Sequence, residues 1–338
     1  MTQEFYFDWH WDLESPPQAI WPLASDTNRF NRDTGQPEIE LLDNVKGVKH
    51  ARMKLPIRVE WEEEPFEWTY PYSFGILRTY SKGPVDEMRV QANFDPRPEG
   101  GTRVRYQTWM KTDNPLAQLV LPFVIGVIAK KRFERAFRIY DRLANKRGSV
   151  IETIRPGGLS VGGRGRFQTL SQTLIRQGTD PSLVERLKDF LDRADELSIQ
   201  RIRPYALADR WDVNRRAVLE MFLRATQAGI VEMSWDLLCP SCRGTTEGHT
   251  NLGDVRGQSH CDTCQIDFTV NFDHNIEVVF KPNASVRAVE FDAAFCVGSP
   301  QFQPHVVLSQ SIATLRSLPV TVQLEPGRYT LRASSVPG

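Results

Sequence analysis

The chain has 338 residues, 40% hydrophobic and 25% charged, with 42 basic and 42 acidic side chains and a formal net charge of zero. That length predicts two to four domains at roughly 100–200 residues each, and the neutral balance gives no global signal for nucleic acid or an anionic membrane. The N-terminus has neither a basic nor an apolar signal region, and the most apolar run, Leu116 to Ala129, is shorter than the roughly 20 residues of a spanning helix, so a soluble cytoplasmic protein with no transmembrane segment is expected.

The first region, residues 1–150, opens with a strand-like aromatic stretch, Phe5 to Trp11. Ser15-Pro16-Pro17 predicts a helix start, with Ser15 as N-cap and proline in the first turn. A turn-rich segment follows from Ser25 to Asn31. Apolar residues then alternate at Ile57, Val59 and Trp61, at Met88, Val90, Ala92 and Phe94, and at Val104, Tyr106, Thr108 and Met110. With turn signals at Ser81–Pro84 and Asp95–Gly101, this predicts an antiparallel meander with one buried face. A long helix closes the region, with Leu116, Leu119, Val120, Phe123, Val127, Phe137 and Tyr140 near one stripe and Lys130, Lys131, Arg132, Arg135, Arg138 and Arg142 around the rest. Pro122 is expected to kink or delay it. A curved sheet gripping one helix often leaves an apolar cavity, and Trp21, Phe30, Trp61 and Phe94 are the candidates to line it.

From Lys130 to Arg166 eleven basic side chains face three acidic ones. The bland reading is the solvated back of a helix plus a linker; an anionic lipid surface, RNA or an acidic partner are the alternatives. Residues 151–180 read as that linker, because Arg155 to Arg166 holds five glycines in twelve residues. Gly158 to Gly162 matches G-x-S-x-G, but no helix pattern follows it, and Gly-Lys-Ser/Thr is missing for a phosphate loop.

Residues 181–236 read as helix (Pro181–Ala194), short helix (Pro204–Arg210), longer helix (Asn214–Ala228, stopped by Gly229) and strand, the order of a winged helix. Arg215, Arg216 and Arg224 sit on the third helix. Nine basic and nine acidic side chains between Pro181 and Trp235 argue for packing against protein over reading DNA.

Residues 237–270 carry the sharpest signal. Cys239-x2-Cys242 and Cys261-x2-Cys264 have the spacing of a four-cysteine zinc ribbon. Each pair wraps a tight turn that brings two thiolates to one Zn²⁺, and four thiolates leave no position for a reactive water, so the zinc is expected to be structural. His249 and His260 read as a loop residue and a polar neighbour. Residues 271–338 show short strands at Ile276–Phe280, Val286–Phe291, Val306–Ser309, Val320–Leu324 and Tyr329–Ala333, after one at Phe268–Phe272. They suggest a β-sandwich-like part, cut short. Glu62, Glu63 and Glu64 read as a solvated strand end; Cys296 and His305 read as a buried thiol and a turn histidine.

Several of these stretches are familiar. SPPQAIWPLASDTNRFN resembles the opening of helix-grip proteins of the START/SRPBCC type, and LPFVIGVIAKKRFERAFRIYDRL suits their long C-terminal helix. RPYALADRW, GIVEMSWDLLCPSCRG, SHCDTCQIDF and the FCVGSP…PH pair resemble an uncharacterised bacterial domain family found upstream of class III adenylate/guanylate cyclase catalytic domains. The resemblance implies a sensory or regulatory module, with a cyclase catalytic domain as partner in cis or in trans. No cyclase activity is expected of this chain, which has too few residues after Gly327 to hold that domain. The expected whole is an α+β multidomain, non-catalytic protein: a helix-grip sheet that binds an apolar small molecule or lipid, then a winged-helix-like segment, a zinc ribbon and a β-rich end. The competing expectations are a protein-interaction scaffold with no small ligand, a DNA-binding regulator, and an enzyme acting on a lipid or polyketide.

Overall fold

The computed structural model describes residues 1–45, 48–145, 158–261, 266–289, 294–303, 305–312 and 316–331. The chain forms two compact units: Met1–Ala144 with Ala294–Gly338, and Asn145–Cys261 with Ile266–Ala293. No helix among the described residues is long and apolar enough to cross a membrane.

The first unit begins with β1 (Gln3–Leu13), whose Trp9, Trp11 and Leu13 are buried on alternate positions. Helices α1 (Pro17–Ala24) and α2 (Thr27–Asp33) follow. Then come β2 (Ile39–Val45), β3 (Val48–Met53), β4 (Glu60–Glu63), β5 (Glu67–Thr69), β6 (Ser73–Lys82), β7 (Glu87–Pro96) and β8 (Thr102–Thr112). They form one antiparallel sheet in the order β1-β8-β7-β6-β4-β3-β2, with β5 on β6. Strand β8 buries every second residue, the period of a sheet with one face packed.

Against that face lies α3 (Pro115–Phe123), a π-helical segment (Val124–Ala129) and α4 (Lys130–Asn145). Asn114 starts the helix by accepting from the N–H groups of Leu116 and Ala117, with Pro115 in the first turn. Pro122 does not break it; the wider π turn begins directly after Phe123. Phe133 stands edge-on to Trp9 at 5.6 Å and to Tyr106 at 5.1 Å, and Phe137 lies 5.2 Å from Trp11. Buried Asp141 accepts from the N–H groups of Glu14 and Ser15 and from the Ser15 hydroxyl, which ties the helix end to the turn after β1.

Three local expectations change. Ser15 is not a helix cap, because its side chain is committed to Asp141; Pro16 holds the cap position without a side-chain bond. The turn-rich stretch from Ser25 is helical as α2, because Asp26 accepts from the Arg29 N–H as its N-cap. The strand expected through Ile57 and Val59 starts only at Glu60, and Ile57 is exposed.

The second unit holds α5 (Gly163–Arg176), α6 (Pro181–Arg193), α7 (Glu196–Ile199), α8 (Pro204–Trp211) and α9 (Arg215–Gln227). It continues with β9 (Val231–Leu238), β10 (Thr245–His249), β11 (Gln258–Cys261), β12 (Ile266–Thr269), α10 (Phe272–Asn275) and β13 (Ile276–Pro282). Asp180 and Asn214 cap α6 and α9 through their side chains, and Gly229 takes a φ of 78° after α9. Strands β10, β9 and β13 form one sheet; β11 and β12 form a separate hairpin. Phe167, Leu187, Phe190, Trp211, Phe222 and Phe280 belong to a single core.

The expected linker 151–180 is largely structured: α5 begins inside the glycine run and buries Phe167 and Leu174. Residues 151–157 lie outside the described residues. Gly163 is required by packing, because a Cβ there would stand 2.1 Å from the Val286 carbonyl oxygen. Gly163 thus permits close approach of backbone to backbone, a use of glycine that a composition count reads as flexibility.

The β-sandwich expected over 271–338 is not formed among the described residues. β13 joins β9 in the second unit, while β14 (Leu308–Ser309) pairs with β5 in the first. Asn271 caps α10 where the strand to Phe272 was expected. Described residues 316–331 hold no strand, and Val320, Leu324 and Tyr329 remain exposed, with no second sheet to bury an alternating face.

Candidate metal centre

Strand β9 ends in two buried leucines, Leu237 and Leu238, which lead directly into buried Cys239. The chain then turns through Pro240 to Gly244 and returns as β10, with Thr245 opposite Leu238. Two backbone bonds close the turn, Arg243 N–H to the Cys239 carbonyl and Cys239 N–H to the Gly244 carbonyl, both 2.9 Å. Arg243 takes a φ of 59°, left-handed for a non-glycine residue. Two N–H groups aim at sulfur: Ser241 at the Cys239 Sγ (3.3 Å) and Gly244 at the Cys242 Sγ (3.4 Å). Gly244 fits because a Cβ there would come within 3.2 Å of the Cys242 Sγ.

Cys261 ends β11 and stands opposite Ile266, so the β11–β12 hairpin brings a third thiol to the same place. The Sγ atoms of Cys239, Cys242 and Cys261 all lie within 4.8 Å of one another, and Cys242 and Cys261 are 3.7 Å apart. That spacing is far too long for a disulfide, roughly 2.05 Å. All three residues are buried. Three buried thiols at this separation can hold a soft metal ion. Cys264 lies outside the described residues. His249 is paired with Glu247 at 3.0 Å, and His260 with Asp267 at 2.8 Å.

The four aromatic residues expected to line a cavity are all buried. Trp21 stands edge-on to Phe94 and Tyr70, both at 5.8 Å. Phe30 packs on Phe133 at 4.8 Å and Phe137 at 5.3 Å. Trp61 lies 6.0 Å from Tyr80 and belongs to a different cluster, with Ile39, Ala51 and Val297. Trp21 and Phe94 come together; Phe30 and Trp61 each lie elsewhere.

A buried polar cluster that no sequence motif announces lies in the first unit. Glu63 is not part of a solvated strand end: its side chain is 1% exposed, and Arg78 Nε donates to its Oε2 at 2.6 Å. The alternation of β4 turns Glu63 inward and Glu62 out. Burial lowers the affinity of Arg78 for its proton, and the Glu63 carboxylate, together with Tyr80 and Cys296, more than restores it. The guanidinium also lies over the Trp61 ring at 5.3 Å. Cys296 is the buried thiol expected. It donates to the Gly298 carbonyl at 2.8 Å, accepts from the Thr27 hydroxyl at 3.2 Å, and is pushed up to about 11 by burial and then by Glu63. A carboxylate neutralised by arginine beside a thiol that stays protonated at neutral pH offers neither a free base nor an activated nucleophile. On α9, Arg215 and Arg216 are paired with Asp209 and Glu220.

Residues 167–301, less than half of the chain, match a family of unknown function, DUF5939. No curated protein matches the sequence. Among solved structures, the ZhuI aromatase/cyclase of a Streptomyces strain is similar at 12% identity, over 44% of this chain and 100% of that one, with a TM-score of 0.35. A Thermus thermophilus protein is similar at 18% identity over 43% and 100% of the two chains (TM-score 0.31). Ara h 8.0201 is similar at 10% identity over 40% and 98% (TM-score 0.30).

Proposed function

We propose that this chain is a non-catalytic regulatory module whose second unit is clasped by a structural zinc ribbon. Its first unit, an SRPBCC-like helix-grip domain, takes an apolar small molecule or lipid. The observation that carries the zinc is the convergence of three buried thiols on one point, two of them receiving backbone N–H groups. A tetrahedral ion with Zn–S bonds of about 2.3 Å holds its sulfurs about 3.8 Å apart, and Cys242 and Cys261 stand 3.7 Å apart. Cys264, which completes the second C-x-x-C pair with Cys261, is the fourth ligand in this reading. Four thiolates close the coordination shell, so the ion would fix the β9–β10 and β11–β12 turns and supply no reactive water.

In this non-catalytic reading the Glu63–Arg78–Cys296 cluster is structural, its carboxylate paired with arginine and its thiol protonated. In this reading the second unit, with its winged-helix-like order α6, α8, α9 and β9, relays to an effector, and a nucleotide cyclase domain, in cis or in trans, is the effector we favour. The paired arginines of α9 fit a protein partner better than DNA. A second reading, an interaction scaffold with a filled grip, is favoured by the ring contacts of Trp21, Phe30 and Trp61. Native mass spectrometry of gently purified protein separates the two. Zinc plus an adduct lost on denaturation supports the ligand-binding module, zinc alone supports the scaffold, and the absence of zinc refutes the ribbon.

A further inference from the structure

One face of the long helix of the first unit is bare. Leu116, Leu119, Val120, Phe123, Val124 and Val127 recur at steps of three and four, and all are exposed, Leu119 by 78%, Leu116 by 70% and Phe123 by 59%. The opposite side of the same helix, through Ala117, Leu121 and Ala129, is buried, so the stripe is not a frayed end. Exposed apolar residues set singly on a surface are ordinary; six on one helical stripe mark a contact surface.

Beyond Val127 the exposed positions become cationic: Lys130, Lys131, Arg135 and Arg142. Among the described residues no carboxylate pairs with any of these four, and Glu134 is the one exposed acid of α4. Arg132 and Arg138 donate to the carbonyls of Thr34 and Asp12. The chain's neutral total charge therefore hides a local segregation, an apolar half followed by a basic half along one helix.

We propose that this helix docks the first unit on the surface of an anionic lipid bilayer. Leu116, Leu119 and Phe123 enter the boundary of the acyl region, and Lys130, Lys131, Arg135 and Arg142 meet the headgroups. Apolar side chains and unmatched cations on one helix are the two components of interfacial binding, and each alone is weak. A second copy of the chain is a poorer occupant, because its own helix brings the same cations and only Glu134 to answer them.

The test is co-sedimentation of the full chain with vesicles of phosphatidylcholine alone and of phosphatidylcholine mixed with phosphatidylserine, at low and physiological salt. The mixed vesicles are expected to retain the protein, less so as salt rises. Lys131→Gln with Arg135→Gln should weaken that binding about 25-fold, at about fivefold per cation. Leu119→Ser with Phe123→Ser should weaken it without changing its salt dependence. All four positions are exposed, so both variants should keep the wild-type circular dichroism. Absence of binding to the mixed vesicles overturns the proposal, as does binding that both variants leave unchanged. A dimer or an acidic protein complex that the serine variant dissolves, with no vesicle binding, would assign the face to a protein instead.

Discussion

Glu63→Gln removes one negative charge and almost no volume from the interior of the first unit. The Arg78 guanidinium then stays between Trp61 and Cys296 with its charge uncompensated, since its 2.6 Å partner was the Glu63 Oε2. The Glu63 side chain is 1% exposed and that of Arg78 11%, so water offers little relief. Breaking a buried pair from one side costs about 3–5 kcal/mol. For a unit of this size that corresponds to a fall of about 6–20 °C in Tm, at about 2–4 °C per kcal/mol. Thermal unfolding followed by calorimetry reads it directly. Glu63→Leu combined with Arg78→Met should recover most of the loss, because the pair itself adds little over a well-packed apolar replacement. A single-variant loss below about 1 kcal/mol, the size seen for solvent-exposed pairs, would show that Glu63 and Arg78 do not behave as a buried pair.

Three further outcomes are expected. Glu60 is held at about 2, below its usual 4.5, chiefly by the Lys82 ammonium and then by Arg58; its stabilisation is complete above about 4.5 and is lost as pH falls toward about 2. Glu60→Gln should therefore flatten the acid limb of a stability–pH profile in that window, and an unchanged limb would count against it. Gly163→Ala should destabilise the second unit despite alanine's helix preference of about 1 kcal/mol, because its Cβ meets the Val286 carbonyl; a gain in urea midpoint would show that the α5 start has room. Cys296, buried and protonated at neutral pH, should resist iodoacetamide in the folded protein and react once it is unfolded, whereas rapid labelling of the native state would place it at the surface.

The legible parts of the sequence were those whose physics is local. Asp180-Pro181, Asn214 and Gly229 carry their capping chemistry in adjacent residues, and α6 and α9 begin and end where those signals stand. The alternation of β7 and β8 likewise reads out one buried face. Non-local effects were not legible. Ser15 looks like a helix cap until Asp141, 126 positions away, claims it. The glycine run looks like a linker until α5 is found to start in it, with the Val286 carbonyl against Gly163. Glu63 looks like one of three solvated acids, although the period of β4 places it on the same inward face as Trp61. The C-x-x-C spacing accounts for Cys239 and Cys242, whose own turn aims both thiols, whereas Cys261 reaches them on the separate β11–β12 hairpin.

We propose that one structural zinc closes the ribbon. The direct measurement is the zinc content of protein purified without added metal, by elemental mass spectrometry, with thiols titrated before and after chelation. One zinc per chain is expected, with the ribbon thiols protected until the chelator removes the metal, and with loss of the zinc in Cys242→Ser. A folded protein that holds no metal, with its ribbon thiols titrating freely, would contradict it.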